Sequence, residues 1–287
     1  VTGEALGEGR WGRAAGEPRQ ALAGRTVMLS GGVHGIGAAL ATALGAAGAN
    51  VVLLVRPTRE AVAPELLRVV DTIGAGPGAC LVLPADVRDE SAVVRAVAEA
   101  VACFGGIDAC LNNASALTLA GTEEVPVETF DLMLQVNVRG TFVLTRACLP
   151  ALRRSTNPHV LTISPPLNLA PRWLGAHPPY TLSKYGMTIL ALGWAEEFAG
   201  LDIASNCLWP ERTISTGNVV HLLGEDAARF ARSPAVMADA AVAVLATPAP
   251  QVTGQCLLDV DVLRGIGIAD LGRYGGEEPE TDLFVGG

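Results

Sequence analysis

The chain has 287 residues, half of them hydrophobic and dominated by Ala, Val and Leu, enough to fill a sizeable core. A net charge of −9 argues against binding nucleic acid or an anionic membrane through bulk charge. The six cysteines are scattered without a Cys-x-x-Cys pair, and His34, His159, His177 and His221 have no ligand spacing, so neither a disulfide framework nor a metal site is expected.

Residues 1–23 mix arginines with glutamates and lack an apolar stretch, so they read as a mobile tail and not as a secretory leader. No apolar run reaches membrane-spanning length, and a soluble, cytoplasmic setting is the expectation. Thr26 to Ser30 is a short β-prone run ending in Gly31-Gly-Val33-His34-Gly35-Ile36-Gly37. An Ala/Leu-rich helix, Ala38 to Ala47, stops at Gly48, and Asn50 to Val55 is a continuous apolar run that fits a strand buried on both faces. The alternation continues. Helices are expected over Pro64–Ile73, Ser91–Phe104, Thr129–Leu152 and Pro179–Phe198. Strands are expected over Cys80–Leu83, Ile107–Leu111, His159–Ser164, Leu201–Leu208 and Gln255–Val260. Seven strands with helices between most of them predict an α/β fold: a Rossmann-type, doubly wound, mainly parallel seven-stranded sheet with helices on both faces. It occupies residues 24–262 as one dinucleotide-binding domain. The acidic, Gly-rich stretch 263–287 is assigned no fold.

Two stretches break the rhythm. Pro165 to Pro179 carries five prolines and reads as a loop, and Trp209 to Ser233 has no strong period. Both follow strands, at the sheet end where open α/β folds bind ligands. Leu167 to His177 and Glu211 to Phe230 are therefore expected to shape a pocket, and Trp173, Leu174, Leu222 and Leu223 hint that it is apolar.

The glycine turn follows a strand and opens a helix, where exposed N–H groups and the helix dipole suit a pyrophosphate. The second strand ends Val55-Arg56-Pro57, without the acidic residue that reads an NAD ribose; a cation there suits a 2′-phosphate, which puts NADP ahead of NAD. Lys184 is the chain's single lysine beside 19 arginines, and it stands four residues after Tyr180. On a helix the two share a face, and an ammonium beside a phenol favours the phenolate, which suits general acid–base work.

Four separated signatures, Ser30-Gly31-x3-Gly35-Ile36-Gly37, Asn112-Asn113-Ala114, Tyr180-x3-Lys184 and Trp209-Pro210, together resemble the short-chain dehydrogenase/reductase family over about residues 24 to 262. Ile163 to Leu169, Ala195 to Phe198 and Asn206 to Pro210 resemble one branch of it, whose relatives carry a further sterol-carrier-type domain that this chain is too short to include. The resemblance implies Tyr180 as catalytic acid/base and Lys184 as the residue that binds the nicotinamide ribose and lowers the Tyr180 pKa. It implies Asn137 as support for a proton relay, Asp86 at the adenine amino group, Asn113 and Ala114 at the adenosine ribose, and Pro210 near the nicotinamide. Val33, His34, Ile36, Val87 and Ile214 join the implied cofactor contacts. The chain departs from the family pattern at Ser164-Pro165, where proline falls on the usual catalytic serine, leaving Ser164 as the candidate hydroxyl. Ser115, Glu211 and His34 also depart from it, at positions where the family has Gly, Gly and, in many NADP enzymes, Arg.

The expected function is an NADP(H)-dependent oxidoreductase that interconverts a carbonyl and a secondary alcohol on an apolar, steroid-like or fatty-acyl small molecule. The alternative is a catalytically weakened NADP(H)-binding redox sensor or scaffold. The apolar stretches Thr129–Leu152 and Gly186–Phe198 favour a homodimer or homotetramer.

Overall fold

A computed structural model describes residues 20–57, 64–217, 230–275 and 281–286. Seven strands, Thr26–Ser30 (β1), Asn50–Val55 (β2), Ala79–Pro84 (β3), Ala109–Asn112 (β4), His159–Ile163 (β5), Ala204–Trp209 (β6) and Cys256–Leu258 (β7), form one sheet. Its order is β3-β2-β1-β4-β5-β6-β7, and every neighbouring pair is parallel. Every residue of β1, β4, β5 and β6 is buried, because helices cover both faces; that is why these strands read as unbroken apolar runs. Alternate residues of β1 serve the two sides: Val27 and Leu29 enter one apolar core and Met28 the other.

The chain leaves β3 and returns to the far side of β1 to lay down β4. Winding therefore reverses between β1 and β4, and the carboxyl ends of these strands frame the crevice where such sheets take ligands. Nine α-helices lie among the described residues: Gly35–Ala46 (α1), Pro64–Gly74 (α2), Glu90–Phe104 (α3), Val127–Met133 (α4), Gly140–Leu152 (α5), Pro171–Ala176 (α6), Pro178–Glu197 (α7), Ala235–Ala246 (α8) and Asp259–Gly265 (α9). On one face α1 packs against α2 and α8; on the other α3 packs against α5, and α7 lies on β5 and β6. Local chemistry sets the ends. The Asp89 carboxylate accepts from Ala92 N–H to cap α3, Gly105 closes it in the left-handed region, and Pro178 and Pro179 open α7 where their missing N–H groups cost nothing. No described helix is long and apolar enough to cross a membrane.

All seven expected strands are present, with ends moved by up to three residues. The single helix expected over Thr129–Leu152 is instead α4 and α5 joined by a π-helical turn, Leu134–Arg139. The stretch Pro165–Pro179 is not all loop, since α6 lies inside it. Residues 1–19 of the expected tail lie outside the described residues, whereas Leu22 is in the core. The stretch 263–287, given no fold from the sequence, continues α9 to Gly265, forms a 3-10 turn at Gly272–Tyr274 and sends Phe284 into the core.

Leu111, in the central strand β4, is fully buried, whereas Ile189 on α7 is 61% exposed. Leu111→Ala is expected to cost about 2–5 kcal/mol and Ile189→Ala within about 0.5 kcal/mol, read by chemical denaturation. Equal effects would contradict this layering.

Candidate active site

The first part of the site is the turn between β1 and α1. Gly31 has φ 71° and lies so close to β4 that a Cβ there would meet the Ala114 backbone at 2.9 Å. Gly37 packs onto the Gly31 carbonyl with no room for a side chain, so α1 starts tight against the turn. Asn113 locks this geometry: its Nδ2 donates to the carbonyls of Ser30 (3.2 Å) and Gly31 (2.8 Å). The Ser30 hydroxyl in turn accepts from the N–H groups of Asn113 and Ala114, each at 3.1 Å. Val33, His34 and Gly35 line a groove that continues between α1 and α2, and Gly35 faces the Thr216 side chain. Ile36 is half-buried at the start of α1. A glycine turn at a helix N-terminus, on the crevice where winding reverses, fits a dinucleotide pyrophosphate.

At the adjoining strand ends, Asp86 does not present an open carboxylate. Arg88 Nε and Nη2 donate to both of its oxygens at 2.7–3.1 Å, and the Arg88 N–H adds a fourth bond. These bonds, with Arg56 nearby, hold the Asp86 carboxyl below the usual range. Val87 is buried and packs on Gly140 at the start of α5. Arg56 is exposed at the end of β2.

The second part is the buried face of α7. Tyr180 and Lys184 are 6% and 3% exposed, one helical turn apart. Lys184 Nζ donates to the Ile163 carbonyl at the end of β5 (3.0 Å) and stands 5.4 Å from the centre of the Trp209 ring at the end of β6. Burial pushes its pKa down to about 8. The Tyr180 phenol moves opposite to the expectation: burial first, then the negative charge of Asp282, hold it well above the ordinary tyrosine range. A sealed phenol beside a carboxylate resists ionisation.

Asn137 is fully buried in the π-helical turn and uses its whole amide. Its Oδ1 accepts from Ala116 N–H (2.7 Å), and its Nδ2 donates to the Ala116 carbonyl and to Ser183 Oγ, each at 2.9 Å. It thereby ties the segment after β4 to α7. The π turn, a distortion common at functional sites, rotates Asn137 into this position. Ser164 lies apart from that network. Its hydroxyl is fully buried beside the Cys207 thiol, while the next carbonyl, of Pro165, is taken by Thr188 Oγ1 two turns along α7 from Tyr180. Pro210 is buried directly after β6, and Ile214, also buried, bridges to Arg232. Leu222, Leu223 and His221 lie outside the described residues. Among the described residues no group of three His, Cys, Asp or Glu side chains is placed to hold a metal ion.

The third part comes from the far end of the chain and is absent from the sequence reading. Residues 281–286 return as a strap over the site. Thr281 bridges Arg212, and Asp282 N–H donates to the Glu211 carbonyl (3.0 Å). Trp209 Nε1 donates to the Leu283 carbonyl (3.0 Å), and Asn168 Nδ2 to those of Phe284 and Gly286 (3.2 and 2.9 Å). Tyr185 hydroxyl donates to the Asn168 carbonyl (2.6 Å) and steadies the loop that carries it. The apolar Leu-Phe-Val run inside an acidic tail is the one sequence signal for this docking.

The glycine turn and Asn113 follow β1 and β4, and Lys184 bonds to the last residue of β5, so these groups lie at the carboxyl ends of the strands. A family model described as short chain dehydrogenase matches residues 25–222. Hydroxysteroid dehydrogenase-like protein 2 of Danio rerio is 43% identical over 273 residues, which make up 93% of this chain and 65% of that protein. Its human counterpart is 40% identical over 271 residues, 92% of this chain and 64% of that protein, so the chain spans less than two thirds of these curated relatives. A crystal structure of a short chain dehydrogenase from Mycobacterium thermoresistibile is 44% identical, with a TM-score of 0.86 over 92% of this chain and 96% of that one.

The strap has a pH signature. Burial pushes the Asp282 carboxyl up to about 7, and Asp259, close by, is raised to about 6. Because these folded values exceed the unfolded one of about 3.9, the neutral acids stabilise the docked strap fully below about pH 4. That contribution is lost as pH rises through about 7. Hydrogen exchange of residues 281–286 is expected to quicken from pH 5 to 8 beyond the intrinsic rate, and Asp282→Asn to flatten the trend. Intrinsic pH dependence alone would contradict it.

Proposed function

The chain belongs to the short-chain dehydrogenase family, and we propose that it is an NADP(H)-dependent oxidoreductase interconverting a carbonyl and a secondary alcohol on an apolar small molecule. The observation that carries this reading is the buried Tyr180–Lys184 pair at the strand ends that also carry the glycine turn. When bound, the nicotinamide cofactor supplies or takes the hydride.

The chain's own residues handle the proton. In reduction Tyr180 donates its phenolic proton to the carbonyl oxygen, and its raised pKa keeps it protonated until that oxygen arrives. Lys184, fixed by the Ile163 carbonyl, stays largely cationic at neutral pH and stabilises the phenolate left behind. Asn137 positions α7 through Ser183. The Ser164 hydroxyl, sealed beside Cys207, contributes little. Asn113, Ala114, Val33, Ile36, Val87, Pro210 and Ile214 shape the cofactor cleft, and Asp86 faces the adenine end with Arg88. Arg56, with no acidic residue at the end of β2, favours a 2′-phosphate. Phe284 beside Tyr180, with Trp173, Tyr185 and Trp209 grouped around that phenyl ring, favours an apolar substrate. Exposed Val127 on α4 and Leu182 on α7 favour self-association as a homodimer or homotetramer.

Tyr180→Phe is expected to lower turnover of apolar ketones by about 10²–10⁴-fold with NADPH affinity nearly unchanged. Ser164→Ala is expected to lower it by less than about tenfold, below the usual range for a direct proton-transfer group. Steady-state rates and fluorescence titration check both; an unaffected rate in Tyr180→Phe would end the reading. Arg56→Ala is expected to weaken NADPH binding about 10- to 100-fold, the worth of a charge-assisted hydrogen bond, and to leave NADH binding unchanged. Equal loss for both cofactors would overturn the NADP preference.

A further inference from the structure

Phe284 lies at the centre of an aromatic cluster. Its ring centroid is 5.3 Å from Tyr185, 6.0 Å from Trp173, 6.2 Å from Trp209 and 6.5 Å from Tyr180. We propose that Phe284, brought back by the strap 281–286, is the specificity-determining roof of the substrate pocket, sized to decide which ketone substituents can sit against Tyr180. The proposal rests on the reading of Tyr180 as the proton donor. A carbonyl oxygen that meets the Tyr180 hydroxyl must lay its substituents along the walls around that phenol, where Phe284 is the ring beside it, backed by Trp173, Tyr185 and Trp209.

Two observations mark this as a built position and not a loose end folded back. Phe284 is 2% exposed with φ 69°, a left-handed conformation that bulky side chains rarely adopt, so the surroundings impose it. The constraint comes from main-chain anchors on both sides of the ring. Leu283 and Phe284 carbonyls are held by Trp209 and Asn168, and the Gly286 carbonyl accepts from Asn168, Arg172 (3.0 Å) and Trp173 (3.4 Å). None of these bonds uses the phenyl ring. Removing the ring therefore leaves the strap in position and opens an apolar space of ring size next to the proton donor, the kind of space that accepts an aromatic ligand. Trp209 joins the roof to the chemistry, since its indole N–H holds the strap while its ring faces Lys184.

The test compares Phe284→Ala and Phe284→Trp with the unaltered chain on two ketones, acetophenone and 2-butanone. Turnover is read as kcat/KM, and binding to the NADP-loaded protein as quenching of tryptophan fluorescence. Phe284→Ala is expected to raise the preference for acetophenone over 2-butanone by at least about tenfold, the scale on which a hydrophobic pocket discriminates size. Phe284→Trp is expected to lower it, and it keeps the test decisive if the alanine variant folds poorly. Asn168→Ala, which frees the strap without touching the ring, is expected to shift the preference in the same direction as Phe284→Ala but less. An unchanged ratio in both Phe284 variants overturns the proposal. If Tyr180→Phe leaves turnover intact, the reading of Tyr180 fails, and the binding ratio still decides the role of Phe284.

Discussion

An ammonium taken out of water needs partners, and Lys184 has two: the Ile163 carbonyl and the face of Trp209. The first closes β5 and the second closes β6, while the lysine itself belongs to α7, so the charge holds three elements in register at one point. Everything else in the site is arranged relative to that point. Tyr180 is one turn before it on the same buried face, and Ser183 beside it carries the bond to Asn137 in the π-helical turn. Asn137 in turn fixes Ala116, just after β4, and Asn113, the first residue beyond that strand, locks the glycine turn. Hydrogen bonds, with the backbone between Asn113 and Ala116, thus link the glycine turn to α7 and its Tyr180–Lys184 pair.

The same burial sets the protonation states. Desolvation disfavours charge on both partners, lowering Lys184 and raising Tyr180. The carboxylate of Asp282 adds to the second shift, so the strap that carries it also biases the phenol toward its acid form. A protonated tyrosine at rest suits reduction of a carbonyl. Oxidation of an alcohol requires the phenolate first, and a docked strap opposes it.

Much of this architecture was legible in the residues. Strands covered on both faces leave continuous apolar runs, and a glycine turn between strand and helix has few other uses, so β1, α1 and β2 could be read directly. The spacing of Lys184 from Tyr180 placed both on one helix face, as they are on the buried side of α7, because helical periodicity brings i and i+4 together. The rest depended on contacts that no local pattern encodes. The π turn adds no unusual residue to an apolar helix, and the burial of Ser164 against Cys207 follows from the path the chain takes after Pro165. The upward shift of Tyr180 comes first from its burial and then from Asp282, about a hundred residues later in the chain, and Phe284 finds its partners on three different elements. The Asp86–Arg88 pairing was local enough to read, since a carboxylate two residues before an N–H forms such turns readily.

The central claim is that this site passes hydride and proton together, with Tyr180 as the acid. Single-turnover reduction of an apolar ketone by NADPH deuterated at C4, run separately with each C4 epimer, tests it most directly. One epimer is expected to leave its deuterium on the carbinol carbon of the product, and the transfer is expected to slow by about 10²–10⁴-fold in Tyr180→Phe although NADPH still binds. Deuterium transfer at an undiminished rate without the Tyr180 hydroxyl, or none in the unaltered chain across a panel of apolar ketones, would contradict the account.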